Sequence, residues 1–134
     1  MRRILLCGLV LALAGVAATA LPAEEVKAPY AHVVIFRMKK DAPKDAVEKA
    51  IADCHELLAK IPAVRSVRAG RPAVKGTPDV PKMEYDFALL VLVDNAAGLE
   101  DYLKNPRHLK FVDKHGPFFD MTKLQVFDFM NQPK

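Results

Sequence analysis

Residues 30–61, YAHVVIFRMKKDAPKDAVEKAIADCHELLAKI, decide the fold class. The first nine are rich in Val, Ile and Phe and read as a strand. Alternation puts His32, Val34, Phe36 and Met38 on one face and Val33, Ile35 and Arg37 on the other. Asp41-Ala42-Pro43 breaks the strand and is expected to start a helix, with proline near its first position. Val47, Ala50, Ile51, Cys54, Leu57, Leu58 and Ile61 recur at steps of three, one, three, three, one and three, which draws one apolar stripe along a helix reaching about Lys60. Cys54 lies inside the stripe and is expected to be buried, because free cysteines behave as small hydrophobes. His55 lies beside the stripe, towards water.

Outward from that strand–helix pair the pattern continues. Pro62 ends the helix, and residues 64–73 form a weaker strand. Residues 70–83 carry Gly70, Pro72, Gly76, Pro78 and Pro81 and read as a long loop. Residues 85–94 form the strongest strand: every side chain from Phe87 to Val93 is apolar, so both faces should be buried. Asp94 or Asn95 can cap a helix over 96–105, with Leu99, Tyr102 and Leu103 on its apolar side. Pro106 interrupts it and can begin a short second helix, where His108, Phe111, Val112 and His115 share a face. Gly116-Pro117 stops that helix, and 124–130 is the last strand. The order is βαββαβ, an α+β, ferredoxin-like, four-stranded antiparallel sheet with its helices on one face. Its other face would still carry apolar side chains from the first, third and last strands, with no helix left to cover them. A second copy related by a two-fold axis is the economical cover.

Before this domain, Arg2 and Arg3 precede a charge-free run from Ile4 to Ala20 that ends in Ala18-Thr19-Ala20. A basic start, an apolar middle and a small-residue end describe a secretory signal. Residues 1–20 are therefore expected to be a signal peptide cleaved after Ala20, with Ala23 the second choice, and 21–30 a linker. The run is also near the ~20 residues of a membrane span, but its Ala-rich end favours cleavage, after which no stable membrane insertion is expected. The protein is expected to be secreted or periplasmic. Cleavage lowers the formal charge from +4 to +2, since Arg2 and Arg3 leave together. The short cluster Lys39-Lys40-Asp41 reads as a solvated loop, so no nucleic-acid partner is expected. Cys7 leaves with the signal and Cys54 stays alone, so no intrachain disulfide can form. His108 and His115 are about two turns, ~10 Å, apart on a helix and cannot share an ion. No metal site is expected.

The stretch from His32 to Phe129 resembles the stress-responsive α/β-barrel family, known as Dabb. The resemblance rests on His32-Val33-Val34-Ile35-Phe36-Arg37, on Ile61-Pro62-Ala63-Val64 at a helix end, on Gly70, on Asp101-Tyr102-Leu103-Lys104-Asn105-Pro106-Arg107-His108, and on Val126-Phe127-Asp128-Phe129. It implies a Dabb domain over 31–129 and a homodimer whose sheets close a dimeric α/β barrel. Some plant members are polyketide cyclases that work without metal or organic cofactor, through the Tyr and His of the second-helix motif with the first-strand His nearby. The matching residues here are Tyr102, His108 and His32. Where those cyclases have a histidine near the middle of the third strand, this chain has Phe87.

In chemical terms, His108 could take a proton from carbon beside a carbonyl, because neutral imidazole is a base at physiological pH. The Tyr102 hydroxyl could donate a hydrogen bond to the developing enolate oxygen, with Pro106 fixing the turn between them. The structural alternative has Tyr102 packing in the core and His108 capping a backbone carbonyl or bonding to that hydroxyl. Val34, Phe36 and Phe87 are expected to wall a ligand cavity. Three classes follow: an exported homodimer binding a small apolar ligand or a partner, a cofactor-free lyase or cyclase using a His/Tyr acid–base pair, and a cofactor-free monooxygenase. An enclosed cavity beside His32, Tyr102 and His108 would favour an enzyme; one filled by Phe36 and Phe87 would favour binding.

Overall fold

The computed structural model describes residues 28–73 and 84–132. The expected signal, most of the linker and residues 74–83 of the expected loop lie outside the described residues. The elements are β1 (Tyr30–Phe36), α1 (Ala46–Glu56), β2 (Val64–Gly70), β3 (Phe87–Val93), α2 (Ala96–Lys104), α3 (Pro106–His115) and β4 (Gln125–Met130). The sheet runs β2-β3-β1-β4 with every neighbouring pair antiparallel. This is the ferredoxin-like α+β topology. No described helix is long and apolar enough to cross a membrane.

Several boundaries move inward from the pattern. α1 begins at Ala46, not at Pro43, because two successive turns come first: Ala42 N–H donates to the Lys39 carbonyl (3.1 Å) and Ala46 N–H to that of Pro43 (3.0 Å). At its other end the chain tightens at Leu57 into a 3₁₀ turn over Leu58–Lys60. Ile61 then turns extended, as a residue before proline prefers. β1 stops at Phe36, and Met38 keeps only an isolated bridge to Phe119.

Cross-strand partners share a face, so the register sorts the side chains. His32, Val34 and Phe36 lie level with Val91, Leu89 and Phe87 on β3, and His32 and Val34 with Asp128 and Val126 on β4. This face meets the helices and carries the core. Phe87, Leu89, Val91 and Val93 are nearly fully buried there, packed with Ala50, Cys54 and Leu58 from the α1 side. On the opposite face stand Val33 and Ile35, Leu90 and Leu92, Phe127 and Phe129. The β1 and β3 members are half-buried, while Phe127 and Phe129 are exposed. Cys54 is buried inside the stripe, and burial, with the Asp53 charge beside it, pushes its thiol up to about 12.

Candidate functional site

Asn105 and Pro106 build the site. Asn105 is extended (φ −66°, ψ 137°), the conformation favoured before proline, so it ends α2 and starts α3 at once. Its Oδ1 accepts the Arg107 N–H (3.0 Å), while Pro106 occupies the first helical position, where no N–H is needed. Breaking the helix here leaves the carbonyls of the last α2 turn without intrahelical donors. One of them, Leu103 C=O, accepts from His108 Nδ1 at 3.0 Å. A carbonyl can only accept, so Nδ1 carries the hydrogen and Nε2 holds the lone pair. Of the two structural roles considered for His108, carbonyl capping is the one formed, and it leaves the second ring nitrogen available. Burial lowers the His108 pKa, the Leu103 bond opposes this, and nearby His32 lowers it further, for a net downward shift. The ring is therefore neutral at physiological pH.

Tyr102, on α2, is buried, and its ring centroid lies 4.7 Å from that of His108 and 5.9 Å from that of His32. Burial, then neighbouring Cys54, pushes its hydroxyl above the ordinary phenol range, so it stays protonated and acts as a donor. His32 reaches the same place from β1. Its Nδ1 lies 2.7 Å from Asp128 Oδ1 on the paired edge strand. The carboxylate accepts and fixes the ring with Nε2 as its other nitrogen, the arrangement by which a carboxylate orients a working imidazole. Asp128 was given no role on sequence grounds. The signal was available: it is the one acidic residue within the strand Gln125–Met130, on the same side as Val126, where a hydrophobe would be expected.

His32, Tyr102 and His108 all line one cavity of about 220 Å³ between the sheet and α3. Its remaining walls are apolar and include Val34, Phe36, Leu89, Phe111 and Phe119. Of Val34, Phe36 and Phe87, the first two line this cavity. Phe87 does not line it: it opens β3, its ring stacked behind Phe36 at 4.3 Å with an interplanar angle of 2°. A shallower depression of about 380 Å³ beside Arg68, Tyr85 and Leu90 contains none of the three polar residues. Among the described residues, no three His, Cys, Asp or Glu side chains gather as a metal-binding group.

The cavity thus presents a neutral base, a phenol donor and an oriented imidazole within an apolar wall, and can act on a small polar group carried by an otherwise apolar ligand. Among solved structures, the chain is similar to a dimeric ferredoxin-like protein of unknown function from Thermobifida fusca YX (22% identity, TM-score 0.63, covering 77% of this chain and 91% of that one). It is also similar to a Dabb family protein with a ferredoxin-like fold from Mesorhizobium loti (21%, 0.63, 79% and 99%). A third is a hydroxynitrile lyase from Passiflora edulis (20%, 0.62, 81% and 97%). No curated protein matches the sequence. The family model for the stress responsive A/B barrel domain matches residues 30–131. That match spans the whole described domain, including the strand of His32, the helix break of Tyr102 and His108, and the strand of Asp128, and the chain belongs to the stress responsive A/B barrel (Dabb) family.

Proposed function

We propose that the protein is an exported homodimer whose cavity binds a small carbonyl compound and moves a proton at the carbon beside the carbonyl, without cofactor, as a lyase or cyclase does. The observation that carries this reading is the convergence of His108, Tyr102 and His32 on one apolar-walled cavity, with each imidazole held through Nδ1. His108 Nε2 takes the proton. The Tyr102 hydroxyl donates to the carbonyl oxygen as negative charge builds there, in surroundings that strengthen the bond. His32, oriented by Asp128, offers a second contact for an oxygen of the ligand. The cavity places these groups beside one space, whereas Phe36 and Phe87 stack on each other instead of filling it. The Passiflora protein of the same fold is itself a lyase.

The test is hydrogen–deuterium exchange at the α-carbon of simple ketones in heavy water, followed by NMR. The wild type should accelerate exchange. His108→Ala should lose about 10²–10⁴-fold, the usual contribution of general base catalysis. Tyr102→Phe should lower the rate while melting near the wild type, since only the hydroxyl is removed. Wild-type exchange no faster than buffer would remove the enzymatic reading and leave the cavity as a binding site for an apolar ligand. Export belongs to the same proposal. It rests on the signal-like residues 1–20, and mass spectrometry of the exported protein should find Leu21, or secondarily Glu24, at the N-terminus. An intact Met1 in the membrane fraction would contradict it.

A further inference from the structure

Resting on that carbonyl reading, we infer that the protein isomerises a short α-hydroxy carbonyl compound, with His108 moving the carbon-bound proton and His32 the hydroxyl proton.

One base is enough to exchange a proton beside a carbonyl, yet the cavity holds two imidazoles, and both are fixed in the same way. His108 Nδ1 donates to the Leu103 carbonyl and His32 Nδ1 to Asp128 Oδ1, so in each neutral ring the lone pair is left on Nε2. Among the described residues neither Nε2 has a hydrogen-bond partner, and neither does the Tyr102 hydroxyl. His32 and Tyr102 are only 7% and 1% exposed, yet among the described residues no fully buried polar side-chain atom lacks a partner. Their unpaired atoms therefore open onto internal space, and the space both residues line is the cavity. His32 enters it from the sheet and His108 from α3, with the Tyr102 ring within 5.9 Å and 4.7 Å of the two. A ligand that satisfies all three groups offers an acceptor to Tyr102, an acidic C–H to His108 and a hydrogen-bond donor to His32. A simple ketone leaves His32 without its donor. A hydroxyl on the carbon next to the carbonyl supplies it, and a site left with an unpaired polar atom discriminates against the ligand that lacks it. The cavity of about 220 Å³ has room for roughly seven waters at ~30 Å³ each, which admits a four-carbon hydroxyketone.

Two bases are what the interconversion of such a compound with its isomer requires, because one proton moves between carbons and another between oxygens. His108 Nε2 takes the proton from the hydroxyl-bearing carbon. The C–H electron pair becomes the C=C bond of an enediolate, and the carbonyl π pair goes to its oxygen, to which Tyr102 donates. His32 Nε2 takes the hydroxyl proton and passes it to that oxygen. The C=C pair then recovers a proton from His108 at the former carbonyl carbon, while the pair on the other oxygen closes the new C=O bond. One carbon is oxidised and its neighbour reduced, both imidazoles return neutral, and no oxidant or reductant is consumed.

The experiment starts from 2-hydroxybutanal and follows the appearance of 1-hydroxybutan-2-one by NMR, beside α-proton exchange of butanone in heavy water. The wild type should accelerate both. His32→Gln, with a melting curve confirming the fold, should lose about 10²–10⁴-fold in isomerisation, the usual contribution of an acid–base group. It should lower butanone exchange by less, so that the ratio of the two rates falls by about 10²-fold or more. Nitrogen NMR of the wild type at neutral pH should find His32 protonated at Nδ1 and not at Nε2. Butanone exchange without isomerisation overturns the inference and leaves the carbonyl reading standing. A ratio unchanged in His32→Gln, or a proton on His32 Nε2, also overturns the inference. Acceleration of neither reaction removes both.

Discussion

His108 owes its tautomer to a carbonyl five residues back, and this sets a pH signature for the proposed chemistry. The neutral ring is the base, and its pKa lies below the ordinary ~6.5. The α-proton exchange rate, as kcat/KM, should be flat at neutral pH and fall with falling pH only below about 6.5. Tyr102 stays protonated into the alkaline range, so loss of its proton should not cut activity near pH 8–9. A pH–rate profile with its acidic break above 6.5 would take the base role away from His108. His32, Tyr102 and His108 were singled out through the resemblance, on two short stretches, the opening strand and the segment around Asn105-Pro106, and the structure brings all three to one cavity. Asp128 was not assigned because its partner is 96 residues away, and only the β1–β4 register brings them together. Phe87 was expected on the cavity wall as the residue holding the place of the cyclases' third-strand histidine. Its ring instead stacks behind Phe36, a choice among neighbours on one face that alternation cannot make.

At the scale of elements, α3 carries His108 and much of the cavity wall, so whatever holds α3 holds the site. Beyond apolar packing, Asp53 of α1 does so. Its Oδ2 accepts from His115 Nε2 at 2.8 Å and from Lys114 Nζ at 2.6 Å, tying the end of α3 to the middle of α1. His115 is buried, whereas Lys114 is exposed. Burial alone would raise the Asp53 pKa, but the bonds from Lys114 and His115 outweigh it and hold the carboxyl below its usual value. A depressed carboxyl stabilises the fold above its unfolded pKa of about 3.9, and that contribution is lost as pH falls through the folded value. Asp53→Ala leaves a buried imidazole nitrogen unpaired and should cost about 1–3 kcal/mol in denaturant unfolding. Asp53→Asn, which keeps an acceptor, should cost less, and Lys114→Gln at most about 1 kcal/mol, as for exposed pairs. An Asp53→Ala protein as stable as the wild type would show that the contact carries no load. Periodicity found the apolar stripe of α1 and the helix break at Pro106. It overran the start of α1, because proline is equally at home in a turn and in the first turn of a helix. Nor did it show this tie, which depends on how two helices pack, not on the pattern within either.

For the whole molecule, the two faces of the sheet set the assembly. One carries the three α-helices; the other presents Val33, Ile35, Leu90 and Leu92 between an edge strand carrying Phe127 and Phe129 and an edge strand carrying Ser66 and Arg68. That contrast follows from alternation along each strand together with the element order, which is why an uncovered apolar face is legible in the sequence. The edges differ as well. β2 has a register shift between Val64 and Ser66 and displays Arg65 and Arg68, features that discourage strand addition. β4 has neither, and its open-face side chains Phe127 and Phe129 are each about half exposed. A partner covering the open face and reaching β4 would bury these two side chains. Phe127 gives the cleanest test because it is already 52% exposed in the single chain, so replacing it does not open the core. Phe127→Lys should fold, with helix and strand content unchanged, yet sediment as a monomer at micromolar concentrations where the wild type is expected to sediment as a dimer, since an interface cannot bury an unpaired ammonium cheaply. Its α-proton exchange then separates the two scales: the three polar groups lie on the opposite face of the sheet, so a folded monomer should retain exchange, and a Phe127→Lys protein that remains dimeric would move the interface away from this face.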